Sequence, residues 1–335
     1  MVGSFHPVIP EFRTDRIFCP DAERGKEMKA KCLQPGDTIG IIAPASPTDP
    51  VELEMSLEIL AGFGYRVKPG RSLGERYGYL AGRDEIRAED INRMFADPEV
   101  DAVFCLRGGY GTPRLLDLID YEIIRANPKI FAGYSDITAL HVAIYQRTGL
   151  VTFHGPMVFE LAKRFDALSW HTLFTHLSRP CPVGGYLSSA ESCPFTIVQG
   201  EAEGKLVGGN LSLLAALLGT PYEVDTRGHI LFIEEIEEEP YRIDRMLTQL
   251  RLAGKLQQAS GIVITECTDC EAADDAKSLT VRQVLEDILK PLGIPAFYGL
   301  KAGHTNVNLT LPVGVRAKMD AGGRWLQFQE AGVTC

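Results

Sequence analysis

From Asp37 onward, short apolar runs alternate with segments whose apolar residues recur every three or four positions. TIGIIAPASP (38–47) predicts a buried strand ending in a turn of small residues and proline, and VELEMSLEILAGFG (51–64) predicts an amphipathic helix closed by glycine. YRVKPG reads as a short strand. DEIRAEDINRMFAD (84–97) is a helix with Ile86, Ile91, Met94 and Phe95 as its apolar positions, and VDAVFCLRGGYG (100–111) is a strand entering a glycine loop. The run Ile130, Phe131, Ala132 stops at Gly133-Tyr134-Ser135-Asp136. Helical spacing then resumes at Ile137, Leu140, His141 and Ile144. LVTFHGPM (150–157) is a further strand. Strands alternating with helices in this way imply an α/β domain with a parallel sheet and helices on both faces.

Residues 178–194, SRPCPVGGYLSSAESCP, interrupt the pattern with proline, glycine and serine and predict a linker. The chain thus divides into an arm (1–34), an α/β domain (35–177), the linker (178–194) and a smaller, strand-rich α/β domain (195–335). In the second domain TIVQGEAEGKLVGG, GHILFIEE and GIVITEC (261–267) read as strands, and GNLSLLAALLG as a short helix with Asn210 as cap. EEPYRIDRMLTQLRLAG is a helix, with Pro240 near its start, Ile243, Leu247 and Leu250 on one face and Gly254 at its end. PAFYGL and LTLPVGVRAKMD are two further strands, on either side of His304.

Composition narrows the function. The 335 residues are 45% hydrophobic and 23% charged, as expected of a globular chain with a sizeable core. The formal net charge is −10, and no basic stripe interleaved with aromatics occurs, so nucleic acid is not an expected partner. No apolar stretch is long enough to span a bilayer, and the charged N-terminus lacks the apolar region of a secretory signal; the expectation is a cytoplasmic enzyme. Eight cysteines do not make a dense disulfide framework in a chain of this length. Cys267 and Cys270 form one Cys-x-x-Cys without a second pair at zinc spacing, so no metal site is expected.

The turn at Ser135 carries the sharpest candidate chemistry. A tight strand-to-helix turn exposes a serine hydroxyl and aims the first backbone N–H groups of the helix at whatever it attacks. The same Ser-Asp pair is also an ordinary helix cap, and Ile137 stands where the α/β-hydrolase elbow has glycine. A nucleophilic serine needs a base and a carboxylate. Among seven histidines, His154 (FHGP) and His304 (AGHTN) lie at strand ends beside glycine, where open α/β sheets bind ligands. His141 points away from the serine, and His171 and His176 suit surface or packing. Glu234 and Glu235 follow an apolar strand and fall on opposite faces, and alternation does not choose between them. RGGYG (107–111) offers exposed N–H groups for an anion, or is a plain turn.

Taken in order, GDTIGIIAPASP, GYLAGRDEIRAEDINRMFADPEVDAVFCLRGGYG, FAGYSDITALH, FHGPM, KLVGGNLSLLAALLGTPY, ILFIEEIEEEPYRIDRMLTQLR and AGHTNVNLTLPVGV resemble the LD-carboxypeptidase family of serine peptidases. That family includes muramoyltetrapeptide carboxypeptidase and the microcin C immunity peptidase. The match runs from about residue 34 to 320. The resemblance implies a Ser-Glu-His triad of Ser135, Glu234 and His304, placed between the two domains. It puts the oxyanion hole on the N–H groups of Asp136 and a glycine of RGGYG, taken as Gly109 rather than Gly108. It further implies a murein tetrapeptide or related small peptide as substrate, no cofactor or metal, no membrane partner, and a homodimer. Arg107, which opens the glycine loop, suits the substrate's terminal carboxylate. The alternatives are a peptidyl-nucleotide substrate, as in the immunity peptidases, and a two-domain binding protein without catalysis. Thr305-Asn306-Val307-Asn308 departs from the glycine- and proline-containing turn common after the family's histidine.

Overall fold

The computed structural model describes residues 27–335. Five strands of the first half are β1 (Thr38–Ile42), β2 (Arg66–Pro69), β3 (Ala102–Cys105), β4 (Ile130–Gly133) and β5 (Thr152–His154). The second half adds β6 (Gly185–Leu187), β7 (Phe195–Val198), β8 (Glu201–Asn210), β9 (Ile230–Ile236), β10 (Gly261–Thr268) and β11 (Ala296–Tyr298). It closes with β12 (Leu311–Val313), β13 (Arg316–Asp320) and β14 (Trp325–Phe328). One sheet has the order β12-β5-β4-β3-β1-β2 and the other β6-β14-β13-β8-β9-β10-β11-β7. The first five strands pair in parallel, as the βα alternation requires, and the fold is α/β.

The helices follow their local signals. The helix Pro50–Gly62 starts with proline in its first turn and with Asp49 accepting from Val51 and Glu52 N–H. Asp84–Ala96 buries Ile91, Met94 and Phe95. Pro240–Leu252 buries Ile243, Leu247 and Leu250, and Gly254 behind it takes a left-handed conformation. The sequence reading passed over the helix Val281–Leu289, although Thr280 and Gln283 form a full capping box at its start.

Four expectations need correction. LTLPVGVRAKMD is not one strand: it breaks at Gly314 (φ 99°), where a side chain would strike Tyr145. The part before the break, β12, pairs antiparallel with β5, while β13 pairs with β8, so the C-terminal segment contributes to both sheets. TIVQGEAEGKLVGG likewise divides into β7 and β8. The linker expected at 178–194 carries β6, which edges the second sheet. The arm expected at 1–34 falls largely outside the described residues, but residues 27–34 are knit into the fold. Met28 bridges to Leu150, Lys31 bridges to Thr334, and Ala30 and Leu33 are buried.

One buried cluster runs through both sheets, from Ile39, Phe104 and Phe153 to Phe232, Phe297 and Val315. A charged side chain braces the loops above the first sheet. Arg87 is fully buried and donates to the carbonyls of Pro44 and Gly111, while pairing with Asp84. Gly111 sits at φ 135°, and a Cβ there would lie 2.6 Å from Arg87 Nη1. Replacing Arg87 by leucine strands two buried carbonyls at about 1–3 kcal/mol each. Chemical denaturation of Arg87→Leu is therefore expected to show a loss of roughly 2–5 kcal/mol; a loss under about 1 kcal/mol would show that the loops do not depend on this brace.

Candidate active site

Ser135 follows β4 with only Tyr134 between and opens a short 3-10 turn, Ser135–Ile137, that leads into the helix Thr138–Thr148. Its φ is +66°, a conformation that costs a non-glycine residue about 1–3 kcal/mol. The surroundings pack closely on it. A Cβ on Gly108 would lie 2.9 Å from Ser135 Cβ and 3.1 Å from its Oγ, so only glycine admits the loop so near the hydroxyl. On the other side, Gly209 lies against Thr138, whose hydroxyl accepts from Asn210 N–H at 2.9 Å. The GGN segment thus serves close contact between β8 and the serine turn.

The side chain of Asp136 is buried and accepts from Thr112 N–H at 2.8 Å, which ties the turn to the glycine loop. Burial raises its carboxyl pKa. Among the described residues, the backbone N–H groups of Asp136 and Gly109 have no hydrogen-bond partner. The carbonyl of Gly108 accepts from Ser46 N–H at 3.2 Å, so the N–H on the far side of that planar peptide, Gly109's, points away from Ser46. Ser46, which sequence reasoning missed, also packs against Gly109 itself.

Glu234, near the end of β9, is fully buried, and His304 lies in the loop between β11 and β12. His304 Nδ1 donates to Glu234 Oε2 at 2.7 Å. Gly303 (φ 97°) makes this possible, because a Cβ there would fall 2.7 Å from Glu234 Oε2. The turn whose sequence departs from the family is pinned: Asn308 Oδ1 accepts from Gly303 N–H at 2.8 Å, and Asn308 N–H donates to Ser169 Oγ at 2.8 Å. Burial opposes charge on His304, but the carboxylate of Glu234 outweighs it and raises the imidazole pKa above 6.5. Burial likewise pushes Glu234 up, and His304 outweighs it, leaving the carboxyl below 4.5. Glu235, on the opposite face, accepts from Asn210 Nδ2 and from the backbone and hydroxyl of Ser212, so it secures the start of the helix Leu211–Ala216.

The serine turn meets this pair through Tyr134, whose ring lies 4.9 Å from the His304 ring, centroid to centroid. Tyr134 is buried, and its hydroxyl accepts from Arg164, which pairs with the buried Glu160 at 3.3 Å. The sequence reading missed all three residues. The only signal was a tyrosine beside the candidate serine. Ser135 Oγ makes no hydrogen bond among the described residues; nucleophile–base contacts are often long before substrate arrives. His141 is turned away, bonded to Gly133 O and Thr152 Oγ1 at 2.8 Å each. His154 is buried in the interior, and His176 bonds Tyr186 at 2.8 Å. Arg107 lies over the Phe159 ring at 5.4 Å and donates to Pro47 O, with its Nε unpartnered.

An imidazole fixed by a carboxylate, packed against the tyrosine that precedes a serine on a left-handed turn, is an arrangement compatible with a serine hydrolase. Models of the LD-carboxypeptidase N-terminal domain and C-terminal domain match residues 39–155 and 203–319. The chain is 48% identical over 317 residues to the "Probable murein peptide carboxypeptidase" of Bacillus subtilis (strain 168), covering 91% of this chain and 95% of that one. It is 32% identical to the murein tetrapeptide carboxypeptidase of Pseudomonas aeruginosa, covering 86% and 94%. A solved structure of MccF in complex with glutamyl sulfamoyl guanosine superposes with a TM-score of 0.84 at 27% identity, over 91% of this chain and 99% of that one. The muramoyltetrapeptide carboxypeptidase from Oxalobacter formigenes gives 0.79 at 32% identity, over 89% and 100%. The chain belongs to the LD-carboxypeptidase family. It is a serine carboxypeptidase, and the binding protein without catalysis is set aside.

The pKa directions fix a pH dependence. With His304 as the base, a role proposed below, the imidazole must be neutral, so the acid limb of kcat/KM is expected above 6.5. Glu234→Gln removes the raising charge, so that limb is expected at lower pH, with kcat down about 10³–10⁴-fold. As for stability, His304 contributes fully below 6.5 and loses its contribution as pH rises through its raised pKa. Glu234 contributes above 4.5 and loses its share as pH falls through its lowered one. The pair therefore stabilises the fold most between 4.5 and 6.5. An acid limb unmoved by Glu234→Gln would refute the coupling. In Gly108→Ala, melting within a few degrees of the parent and loss of most activity are expected.

Proposed function

We propose that this protein removes the C-terminal D-alanine from murein tetrapeptides, through Ser135, His304 and Glu234. The observation that carries the reading is the 2.7 Å bond between His304 and buried Glu234 beside the Ser135 turn. Nδ1 of His304 donates to the carboxylate, which leaves Nε2 as the acceptor for the serine proton. Ser135 Oγ attacks the peptide carbonyl, and His304 takes its proton and returns it to the departing D-alanine amine. The uncommitted N–H groups of Gly109 and Asp136 are suited to the oxyanion, where losing one donor costs about 2.7–4 kcal/mol. Water then releases the acyl group by the same route.

Arg107 is the proposed partner of the terminal carboxylate. Its unpartnered Nε and its place at the mouth of the glycine loop support this role. Among the described residues no helix is long and apolar enough to cross a membrane. A cytoplasmic role in recycling cell-wall peptides, and a homodimeric state, rest on the resemblance to the family.

A second reading has its own support: the likeness to MccF raises a peptidyl-nucleotide as substrate. Assay of both substrates with one preparation separates them. The murein reading expects the tetrapeptide to be turned over at least about 10-fold more efficiently, in kcat/KM. Ser135→Ala is expected to abolish D-alanine release, and EDTA to leave it unchanged. Arg107→Ala is expected to raise KM about 10-fold or more, with a smaller effect on kcat. Release at the parental rate by Ser135→Ala would sink the assignment.

A further inference from the structure

Two buried side chains beside the triad have polar atoms without a partner. Glu234 uses Oε2 for His304, while its Oε1 makes no hydrogen bond. His154, the last residue of β5, is fully buried, and neither ring nitrogen makes one. Its ring is walled by Phe232 at 5.2 Å, Tyr134 at 5.8 Å and His141 at 6.2 Å. Phe232 lies two residues before Glu234 on β9, so both side chains leave the strand on one face. His154 therefore packs on the face that carries the carboxylate.

The charges it feels agree with this placement. Burial pushes the His154 pKa down to about 4, with Glu234 pulling it up and His304 opposing. The ring is neutral where the enzyme works, with one N–H to donate and one lone pair to satisfy. His141 meets that need with two hydrogen bonds; His154 has none in protein. Both groups are buried without a protein partner on the same side of β9, an arrangement that one bridging water would satisfy. Asn210, close enough to lower the Glu234 pKa, supplies that water with a third polar neighbour.

We propose that His154 is a positioning residue for the triad, donating one ring N–H through a single buried water to Glu234 Oε1. The carboxylate is then held at both oxygens, by His304 from one side and by His154 from the first sheet. Without His154, Oε1 turns to find another donor, Oε2 leaves line with His304 Nδ1, and the imidazole loses part of the charge that raises its pKa. The groups facing His154 are His141 from the helix Thr138–Thr148, Tyr134 from the serine turn, Glu234 from β9 and His304 from its loop.

The proposal rests on the roles given to His304 and Glu234, and its test reads the site with and without substrate. Histidine-labelled parent, His154→Phe and His154→Gln are titrated by NMR, and kcat and KM are measured for D-alanine release. In His154→Phe the His304 midpoint is expected to fall by about one pH unit. Its kcat is expected to fall about 10–100-fold, with KM within about twofold. His154→Gln keeps an N–H and is expected to recover part of both. An unshifted His304 midpoint in His154→Phe overturns the proposal even if kcat falls, because packing alone would then explain the loss. Should that variant not fold, a crystal structure of the parent at about 1.8 Å or better decides: an ordered water between His154 and Glu234 supports the proposal, and its absence overturns it. If the parent releases no D-alanine, the functional reading fails by itself, and the substrate-free titration still judges His154.

Discussion

The site depends on one buried hydrogen bond, between the Glu234 carboxylate and the His304 imidazole. A carboxylate with no exposure to water is tolerable only with a donor at close range. That requirement reaches well beyond the pair. It calls for glycine at 303, because any side chain there would occupy the place of the carboxylate. It calls for Asn308 to hold the loop that carries the histidine. It also sets the tautomer of His304, since Nδ1 must carry the proton it donates to Glu234 and Nε2 is left with the lone pair.

The serine turn is under an opposite constraint, steric where the first is electrostatic. Ser135 holds a left-handed backbone with Gly108 close against it and Thr138 close against Gly209. Strain of this kind persists only where the surroundings over-determine it. Here they do: Asp136 ties the turn to the glycine loop, Arg87 braces that loop from below, and Tyr134 is clamped by Arg164 and Glu160. The turn also lies against β8 of the second sheet, through the contact of Thr138 with Gly209 and Asn210. The apolar cluster shared by Phe153 and Phe232 holds both halves of the site in one frame without spending conformational freedom when substrate arrives.

Much of this was legible in the sequence. The βα alternation of the first half, the cap at Asn210, the helix start at Pro240, and the strand-turn-helix around Ser135 follow from spacing and from residue types that act within a few positions. The resemblance placed the family and nominated Ser135, Glu234 and His304. Strand alternation put Glu234 and Glu235 on opposite faces without choosing between them, and the structure gives the two different partners, His304 for one and Asn210 with Ser212 for the other.

What the chain could not announce is everything that depends on distant approach. LTLPVGVRAKMD reads as one strand because its apolar pattern is unbroken, but Gly314 must clear Tyr145, and the segment divides between two sheets. Tyr134, Arg164 and Glu160 carry no local signature, since each is defined by a neighbour outside its own element. The pairing of Glu234 with a histidine 70 residues later has the same character. Periodicity and caps are short-range and survive in the linear chain. Burial, and with it the need of a carboxylate for that particular imidazole, exists only once the sheets have packed.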